Sequence, residues 1–163
     1  MTEVSQRQRT AESAAAVVTE FFDRYRAHDV DGMTDLCSVN ADFSYIPVEL
    51  WGKQRVLRGD GKVCTVGKPL WTGLIASFPN LSNTVHSITS NDDGDVVTAL
   101  FKAEGTQAAD YAGAINQEKH LDIDQAWRFV TAGGLITRVD AYWCQAQLYR
   151  RLAVKRYDEI AIA

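Results

Sequence analysis

Long hydrophobic runs are absent from this sequence. No stretch approaches the roughly 18 consecutive apolar residues that a membrane-spanning helix requires. The opening segment, MTEVSQRQRTAES, is polar and lacks the apolar core of a secretory signal peptide. We therefore expect a cytoplasmic protein with no membrane partner.

Basic clusters and paired cysteines are also missing. The formal net charge is -4, and the lack of any Lys/Arg run excludes the basic surface that nucleic-acid binding requires. The three cysteines, Cys37, Cys64 and Cys144, form no CxxC pair, and one of them must stay unpaired in any disulfide scheme. We expect reduced thiols, no nucleic-acid partner and no structural zinc.

The N-terminal third of the chain predicts helices. Hydrophobic residues make up 46% of the 163 residues, which suffices for one buried core. Residues 1–12 have no periodic pattern, whereas helical spacing of apolar residues predicts a first helix over Ser13–Ala27. Asp29 or Asp31 is then placed to cap a short second helix that runs through Leu36.

The later part of the chain predicts mainly strands. Ala41–Ile46 alternates as a short strand that Pro47 ends, because proline removes a ladder donor. The segment between Trp51 and Pro79 predicts a glycine-rich loop and then a helix. Turn signals separate the extended runs that follow, which are Leu81–Ser90, Val96–Glu104, Lys119–Val130 and Leu135–Tyr149. Helices followed by an antiparallel sheet define an α+β domain.

Three segments resemble a known superfamily. FFDRYRAHDVDGMTDLCSVNADFSY is similar to the opening helices and first strand of nuclear transport factor 2-like proteins. FKAEGT resembles a strand end of SnoaL-like proteins, and WRFVTAGGLITRVDAYWCQAQL is similar to the last hairpin of ketosteroid isomerases. The resemblance implies one domain over residues 13–152, with an N-terminal extension (1–12) and a C-terminal tail (153–163). It also implies a cone-shaped fold, in which a strongly curved, mainly antiparallel sheet wraps the long N-terminal helix around a mostly apolar pocket.

Strand alternation indicates which side chains face such a pocket. In the run Leu121–Phe129 the odd-numbered residues are apolar except for Gln125, so this set should face the helices. The opposite face then carries His120, Asp122 and Asp124, a polar row that becomes the leading acid-base set only if the parity is inverted. The orientation of His86 on its strand stays open.

The resemblance also identifies positions of interest. The three positions that hold catalytic groups in ketosteroid isomerases are Phe21, Tyr45 and Gln125 here, and Trp143 lies where those enzymes have a pocket tryptophan. None of the three supplies the carboxylate or acidic donors of that reaction, which excludes ketosteroid isomerase activity. The histidine of many SnoaL-like cyclases is replaced by Gln107.

Our working hypothesis is a cofactor-independent isomerase, cyclase or dehydratase that acts by proton transfer on a small hydrophobic ring-containing or carbonyl substrate. Tyr45 would be the acid-base group, Gln125 would steady an enolate oxygen and Tyr25 would assist. The apolar wall that binds the substrate would consist of Phe21, Phe43, Trp127 and Trp143. The alternative is a non-catalytic small-molecule-binding or dimerisation module of the same fold. We expect no metal and no cofactor.

A homodimer is the expected assembly. The outward face of the last two strands carries mixed charges and an aromatic ring, which suit self-complementary pairing. The residues on that face are His120, Asp122, Asp124, Arg128, Arg138, Asp140 and Tyr142.

Overall fold

Helices at the N-terminus precede a single sheet, which confirms the α+β prediction. The computed structural model describes residues 3–48, 59–111 and 113–154. The helices are α1 (Glu3–Arg26), α2 (Val30–Asp35), α3 (Lys68–Ser77) and α4 (Gln145–Arg151). The strands are β1 (Cys37–Val48), β2 (Gly59–Lys62), β3 (Ser82–Ser90), β4 (Val96–Thr106), β5 (His120–Ala132) and β6 (Leu135–Cys144). A π-helical turn, Val63–Gly67, leads directly into α3.

Helix α1 begins at Glu3 and not at Ser13, where the apolar pattern starts. Its first part is exposed and is supported by local pairs, such as the 2.9 Å ion pair between Arg7 and Glu3. Pairs of this kind contribute about 0.2–0.5 kcal/mol each to a helix and leave no apolar periodicity. Of the helices in the described ranges, none is long and apolar enough to cross a membrane.

Helix α2 is capped as the sequence predicts. The carboxylate of Asp29 accepts a 2.9 Å hydrogen bond from the backbone N–H of Gly32, so Asp29 and not Asp31 is the cap. His28, which precedes the cap, has a φ of 60° and its Nε2 lies 2.6 Å from the backbone oxygen of Leu81. The turn between α1 and α2 is thereby tied to the start of β3.

The six strands form an open sheet in the order β2-β1-β6-β5-β4-β3. Strands β1 and β6 pair in parallel, and every other neighbouring pair is antiparallel. Helix α1 lies against β3, β4 and β6, so the sheet wraps around it. This arrangement confirms the predicted cone-shaped fold with a mainly antiparallel sheet.

Strand β1 is longer than predicted and passes through Pro47. Pro47 is in register with Trp143 of β6, whereas the described pairing with β2 ends at Tyr45. Proline is tolerated in a strand where one neighbour is missing. Strand β2 and the π-helical turn were expected to be loop, and residues 51–58 of that predicted loop lie outside the described residues.

Strand β6 is shorter than predicted, because the chain leaves it at Cys144 and continues as α4. The expected strand extended to Tyr149, and a short apolar run does not distinguish a strand from a helix by periodicity. Leu148 and Tyr149 of α4 are 5% and 0% exposed. The predicted tail at 153–163 lies outside the described residues beyond Val154.

Strands β5 and β6 separate at the end of the sheet where α4 lies. The last registered pair between them is Ala126 and Tyr142, although both strands continue past it. Helix α4 packs against β5 at this end. The separation leaves space on the inner side of the sheet, next to Gln125 and Trp143.

Aromatic rings fill the space between α1 and the sheet. Trp127 stacks on Trp71 with ring centroids 6.3 Å apart and meets Phe101 edge-on at 5.1 Å. Phe21 packs edge-on against Trp71 at 5.5 Å and Phe129 at 5.3 Å. Such pairs contribute about 0.5–1.5 kcal/mol each beyond their burial. The result is a densely packed aromatic cluster behind the inner sheet face.

The outer sheet face carries an ion-pair network centred on Asp140. Asp140 lies on this outward face as predicted, but its side chain is only 6% exposed. Its carboxylate accepts hydrogen bonds from Arg138 at 2.9 Å and from Arg128 at 3.2 Å. Arg138 also donates to the hydroxyl of Ser44 at 3.2 Å. Asp140 therefore holds β5 and β6 together and is not free to pair with another molecule.

Candidate functional site

A cavity of about 290 Å³ lies between α1, α3 and the inner face of the sheet. Its wall is mostly aliphatic and aromatic, with a few hydroxyl, amide and indole groups, which is the usual character of a small-molecule site. The lining residues are Tyr25, Phe43, Tyr45, Pro69, Leu70, Trp71, Gly73, Leu74, Leu81, Ala103, Tyr111, Leu121, Ile123, Gln125, Trp127, Ala141, Trp143 and Leu148.

Strand alternation places Gln125 on this wall. Strand β5 buries Leu121, Ile123 and Trp127 on the same face, as the sequence pattern predicts. The amide oxygen of Gln125 accepts a 2.8 Å hydrogen bond from the indole N–H of Trp127. This bond fixes the orientation of the amide, because only the oxygen can accept it. The NH₂ group of Gln125 has no hydrogen-bond partner in the described part of the chain and stays available as a donor.

Tyr25 and Tyr45 also line the cavity, on α1 and β1. Tyr25 is 3% exposed, and burial raises its pKa well above the ordinary 10.0, with the neighbouring Tyr111 adding to the rise. Burial likewise raises the pKa of Tyr45. Both side chains are therefore neutral hydroxyls at physiological pH. They can donate a hydrogen bond to an oxygen, but they do not supply a phenolate base.

Tyr111 is a cavity residue that sequence reasoning missed. It lies in the connection between β4 and β5, and its ring meets Phe78 edge-on at 6.0 Å. Burial raises its pKa strongly, and the nearby hydroxyl of Tyr45 adds to the rise. The available signal was a single aromatic residue in the segment QAADYAGAINQ, which otherwise consists of small and polar residues apart from one isoleucine.

The aromatic wall differs in one member from the predicted one. Phe43, Trp127 and Trp143 line the cavity, but Phe21 does not, because it lies fully buried behind Trp71. Residue Phe21 therefore supports the wall without facing a ligand. The indole N–H groups of Trp71 and Trp143 are buried without a hydrogen-bond partner among the described residues.

The polar row of β5 lies on the outer face, so the parity is not inverted. His120 is near Glu104 at 3.8 Å, Asp122 near Lys102 at 3.6 Å, and Asp124 near His86 at 3.6 Å. These pairs are exposed to solvent, and none of their members lines the cavity. His86 is exposed like Thr84, and a bulge between Val85 and Ser87 then changes the parity of the rest of β3, which alternation could not reveal.

No described residue that lines the cavity is an Asp, Glu, His, Lys or Arg. Gln107, at the position of the cyclase histidine, is 1% exposed and donates at 3.1 Å to the backbone oxygen of Ala114. It therefore anchors a loop and does not face the cavity. Among the described residues, no group of three or more His, Cys, Asp and Glu side chains is arranged to hold a metal ion.

A second hollow opens on the outer side of the sheet where β5 and β6 separate, and it shares Gln125 and Trp143 with the cavity. It is lined by His86, Leu100, Phe101, Asp124, Gln125, Ala126, Tyr142, Trp143 and Cys144. Leu100 and Tyr142 are 45% and 40% exposed there. An exposed leucine and tyrosine beside one another form an apolar patch on an otherwise charged face.

The sequence matches the family model of the SnoaL-like domain over residues 18–139. This range contains the C-terminal part of α1, all of β1 to β5 and the first half of β6. No curated protein matches the sequence significantly.

Solved structures share this fold at low sequence identity. A candidate SnoaL-like polyketide cyclase from Jannaschia sp. CCS1 has a TM-score of 0.71 at 13% identity, with 96% of this chain and 98% of that chain covered. An LEH-like epoxide hydrolase from M. tuberculosis has a TM-score of 0.61 at 15% identity, covering 88% and 91%. The epoxide hydrolase/cyclase-like enzyme SalBIII, which has a role in pyran ring formation in the polyether salinomycin, has a TM-score of 0.60 at 18% identity, covering 90% and 97%. At these identities the likeness establishes the fold alone.

Proposed function

This chain belongs to the SnoaL-like domain family, and we propose that it is a cofactor-independent cyclase, isomerase or dehydratase for a small hydrophobic carbonyl compound. One observation carries the proposal: an apolar cavity holds several hydroxyl and amide donors and, among the described residues, no ionised side chain. Donors in a site with little water stabilise negative charge that develops on an oxygen. The carbonyl oxygen of a bound ketone becomes such an oxygen when the adjacent carbon loses a proton.

Each polar residue has a defined part in this proposal. The hydroxyls of Tyr45 and Tyr25 and the NH₂ of Gln125 donate to the substrate oxygen, which makes the neighbouring C–H more acidic. Tyr45 acts as the acid and not as the base, because its raised pKa keeps it protonated. The proton leaves to water or to another oxygen of the substrate. Phe43, Trp127 and Trp143 hold the ring of the substrate and exclude bulk water.

The relatives support a reaction of this kind. The solved structures described above are named as a polyketide cyclase and as epoxide hydrolase-like enzymes, and they have the same fold. A second reading, a binding protein without catalysis, is favoured by the lack of a carboxylate or histidine among the described cavity residues. The two readings differ in whether a bound ketone exchanges its α-protons.

We predict that the protein accelerates α-proton exchange of 2-tetralone in D₂O, measured by proton NMR. Tyr45→Phe should lower the exchange rate by about tenfold or more, since one donor to the enolate is lost. Tyr142→Phe is the matched control, because Tyr142 lies on the outer face and its change should leave the rate unaltered. Binding without exchange would favour the binding protein, and the absence of both would refute the proposal.

We further propose a homodimer formed through the outer sheet face. The apolar patch of Leu100 and Tyr142 would lie at its centre, flanked by exposed charges such as Asp124 and Arg128. Asp140 would not take part, because it is already bound by two arginines.

The expected result is a dimer in sedimentation velocity at micromolar concentration. Leu100→Arg should convert it to a monomer, because a charge is then buried without a partner at the interface. Leu135→Arg is the matched control, since Leu135 is a similarly exposed leucine, at 41%, on the β5–β6 turn. A monomeric native protein would contradict this assembly.

A further inference from the structure

The connection between β4 and β5 is built to hold one aromatic residue in the cavity. It comprises residues 107–119, a length at which connections in compact domains are uncommon and often functional. The ring it contributes is that of Tyr111. Other cavity residues come from regular helices and strands or from their ends, so this placement required a dedicated segment.

Buried polar contacts fix the segment around Tyr111. Tyr111 and Ala114 exchange two backbone hydrogen bonds, of 3.0 and 2.8 Å. Gln107 donates to the backbone oxygen of Ala114, and the hydroxyl of Ser77 donates at 3.1 Å to the backbone oxygen of Asp110. These hydrogen bonds join the segment to the end of α3 and join residues within the segment to one another. The position of the Tyr111 ring is therefore defined before any ligand binds.

Tyr111 lines the cavity together with two other tyrosines, Tyr25 and Tyr45. Tyr111 contributes to the raised pKa of Tyr25 on α1, and Tyr45 on β1 contributes to the raised pKa of Tyr111. None of these three hydroxyls has a hydrogen-bond partner among the described residues. Three neutral donors from three separate parts of the fold therefore line one apolar cavity.

We infer that Tyr111 is a ligand-binding donor that selects an apolar ring compound bearing a carbonyl oxygen and holds this oxygen between Tyr25 and Tyr45. A hydroxyl kept in an apolar cavity without a protein partner gains a hydrogen bond when a ligand brings an acceptor. A hydrocarbon of the same shape brings none and leaves the hydroxyl unsatisfied. The inference rests on the proposed function for the nature of the ligand, but it concerns binding and not turnover.

The test compares two ligands that differ only in the carbonyl group, 2-tetralone and tetralin, in the full-length protein and in Tyr111→Phe. Dissociation constants are measured by quenching of tryptophan fluorescence. We expect Tyr111→Phe to raise the dissociation constant of 2-tetralone by about three- to tenfold, which corresponds to the loss of one neutral hydrogen bond. The dissociation constant of tetralin should not change. An equal loss for both ligands would show that Tyr111 only shapes the wall, and no loss for either would show that its hydroxyl does not reach the ligand.

A second measurement keeps the inference testable if Tyr111→Phe does not fold. With 3-fluorotyrosine at position 111, the ¹⁹F resonance should shift on addition of 2-tetralone and stay in place with tetralin, whereas identical responses would overturn the inference. Proton exchange by the native protein together with an unchanged ketone preference in Tyr111→Phe would refute the role of Tyr111 alone. Loss of ketone preference without exchange by the native protein would refute the catalytic function alone. If the native protein binds neither ligand, both are wrong.

Discussion

Replacing Gln125 with leucine is expected to slow α-proton exchange of 2-tetralone by roughly ten- to a thousandfold, the range for loss of one donor to a developing enolate. The NH₂ group of Gln125 lies on the cavity wall and has no other partner among the described residues. Leucine has a similar volume, so the shape of the wall is largely kept while the donor disappears. The exchange rate is followed by NMR, as for the native protein.

The same substitution is expected to lower the free energy of unfolding by about 1–3 kcal/mol, since it leaves the buried indole N–H of Trp127 without a partner. Urea denaturation measures this loss. The sequence alone presented the core role and the ligand role of Gln125 as alternatives. In the structure the two roles are compatible, because the amide oxygen is bound to Trp127 while the amide nitrogen has no partner among the described residues.

A double variant separates the two effects. Gln125→Leu combined with Trp127→Phe removes both partners of the hydrogen bond, so neither polar group is stranded. Its loss of stability should be smaller than the sum of the two single losses. The exchange rate should not recover above that of Gln125→Leu, because Trp127 also holds the ring of the substrate. A normal exchange rate in a folded Gln125→Leu variant would show that the amide does not contact the ligand.

A steep loss of stability above about pH 10 is the second large effect that we expect. Burial raises the pKa of Tyr25 and Tyr111 far above the ordinary value of 10.0. Below that pH both residues are protonated in the folded and the unfolded chain, and their contribution to stability is fully present. Above it the unfolded chain releases the two protons while the folded chain keeps them, so stability falls by about 1.4 kcal/mol per pH unit for each tyrosine.

The buried thiol of Cys37 causes a further loss of stability, which begins at a lower pH than the loss from the tyrosines. Burial raises the pKa of its thiol from 9.0 to about 12, so the unfolded chain ionises first and the contribution of Cys37 is lost between these values. Urea denaturation between pH 8 and about pH 11, with tyrosine ionisation followed by absorbance, measures the combined effect.

Tyr25→Phe should reduce the slope of stability against pH above about pH 10 by close to one proton per molecule. Tyr142→Phe, a substitution on the outer sheet face, is the control. A native protein whose stability is constant up to about pH 11 would contradict the burial of these hydroxyls.

Local patterns predicted a substantial part of the fold and of the site. Alternation along β5 placed Gln125 and Trp127 on the inner face and Asp122 and Asp124 on the outer face, because side-chain direction in a regular strand follows from residue parity alone. The Asp29 cap was predictable for a similar reason, since capping is a contact within one turn of chain. Parity could not rank the two faces of β3, because a bulge between Val85 and Ser87 reverses the alternation partway along the strand.

Several features followed only from packing between distant segments. Phe21 does not face the cavity, because the ring of Trp71 packs against it and lines the cavity in its place. Trp71 lies 50 residues later in the sequence. The burial of Asp140 depends on two arginines from β5 and β6 that surround its carboxylate. Neither of these two contacts follows from a periodic pattern in the sequence.

The sequence by itself determined the α+β class, the inward faces of β5 and β6, and three of the polar groups of the cavity: Tyr25, Tyr45 and Gln125. These depend on interactions within a few residues, on strand parity, and on segments that resemble a known superfamily. Tertiary structure decided that Tyr111 joins those groups and that α4 closes the end of the sheet. An irregular loop has no repeat from which side-chain direction follows, so its contribution to the site is set only by the contacts it makes with the rest of the folded chain.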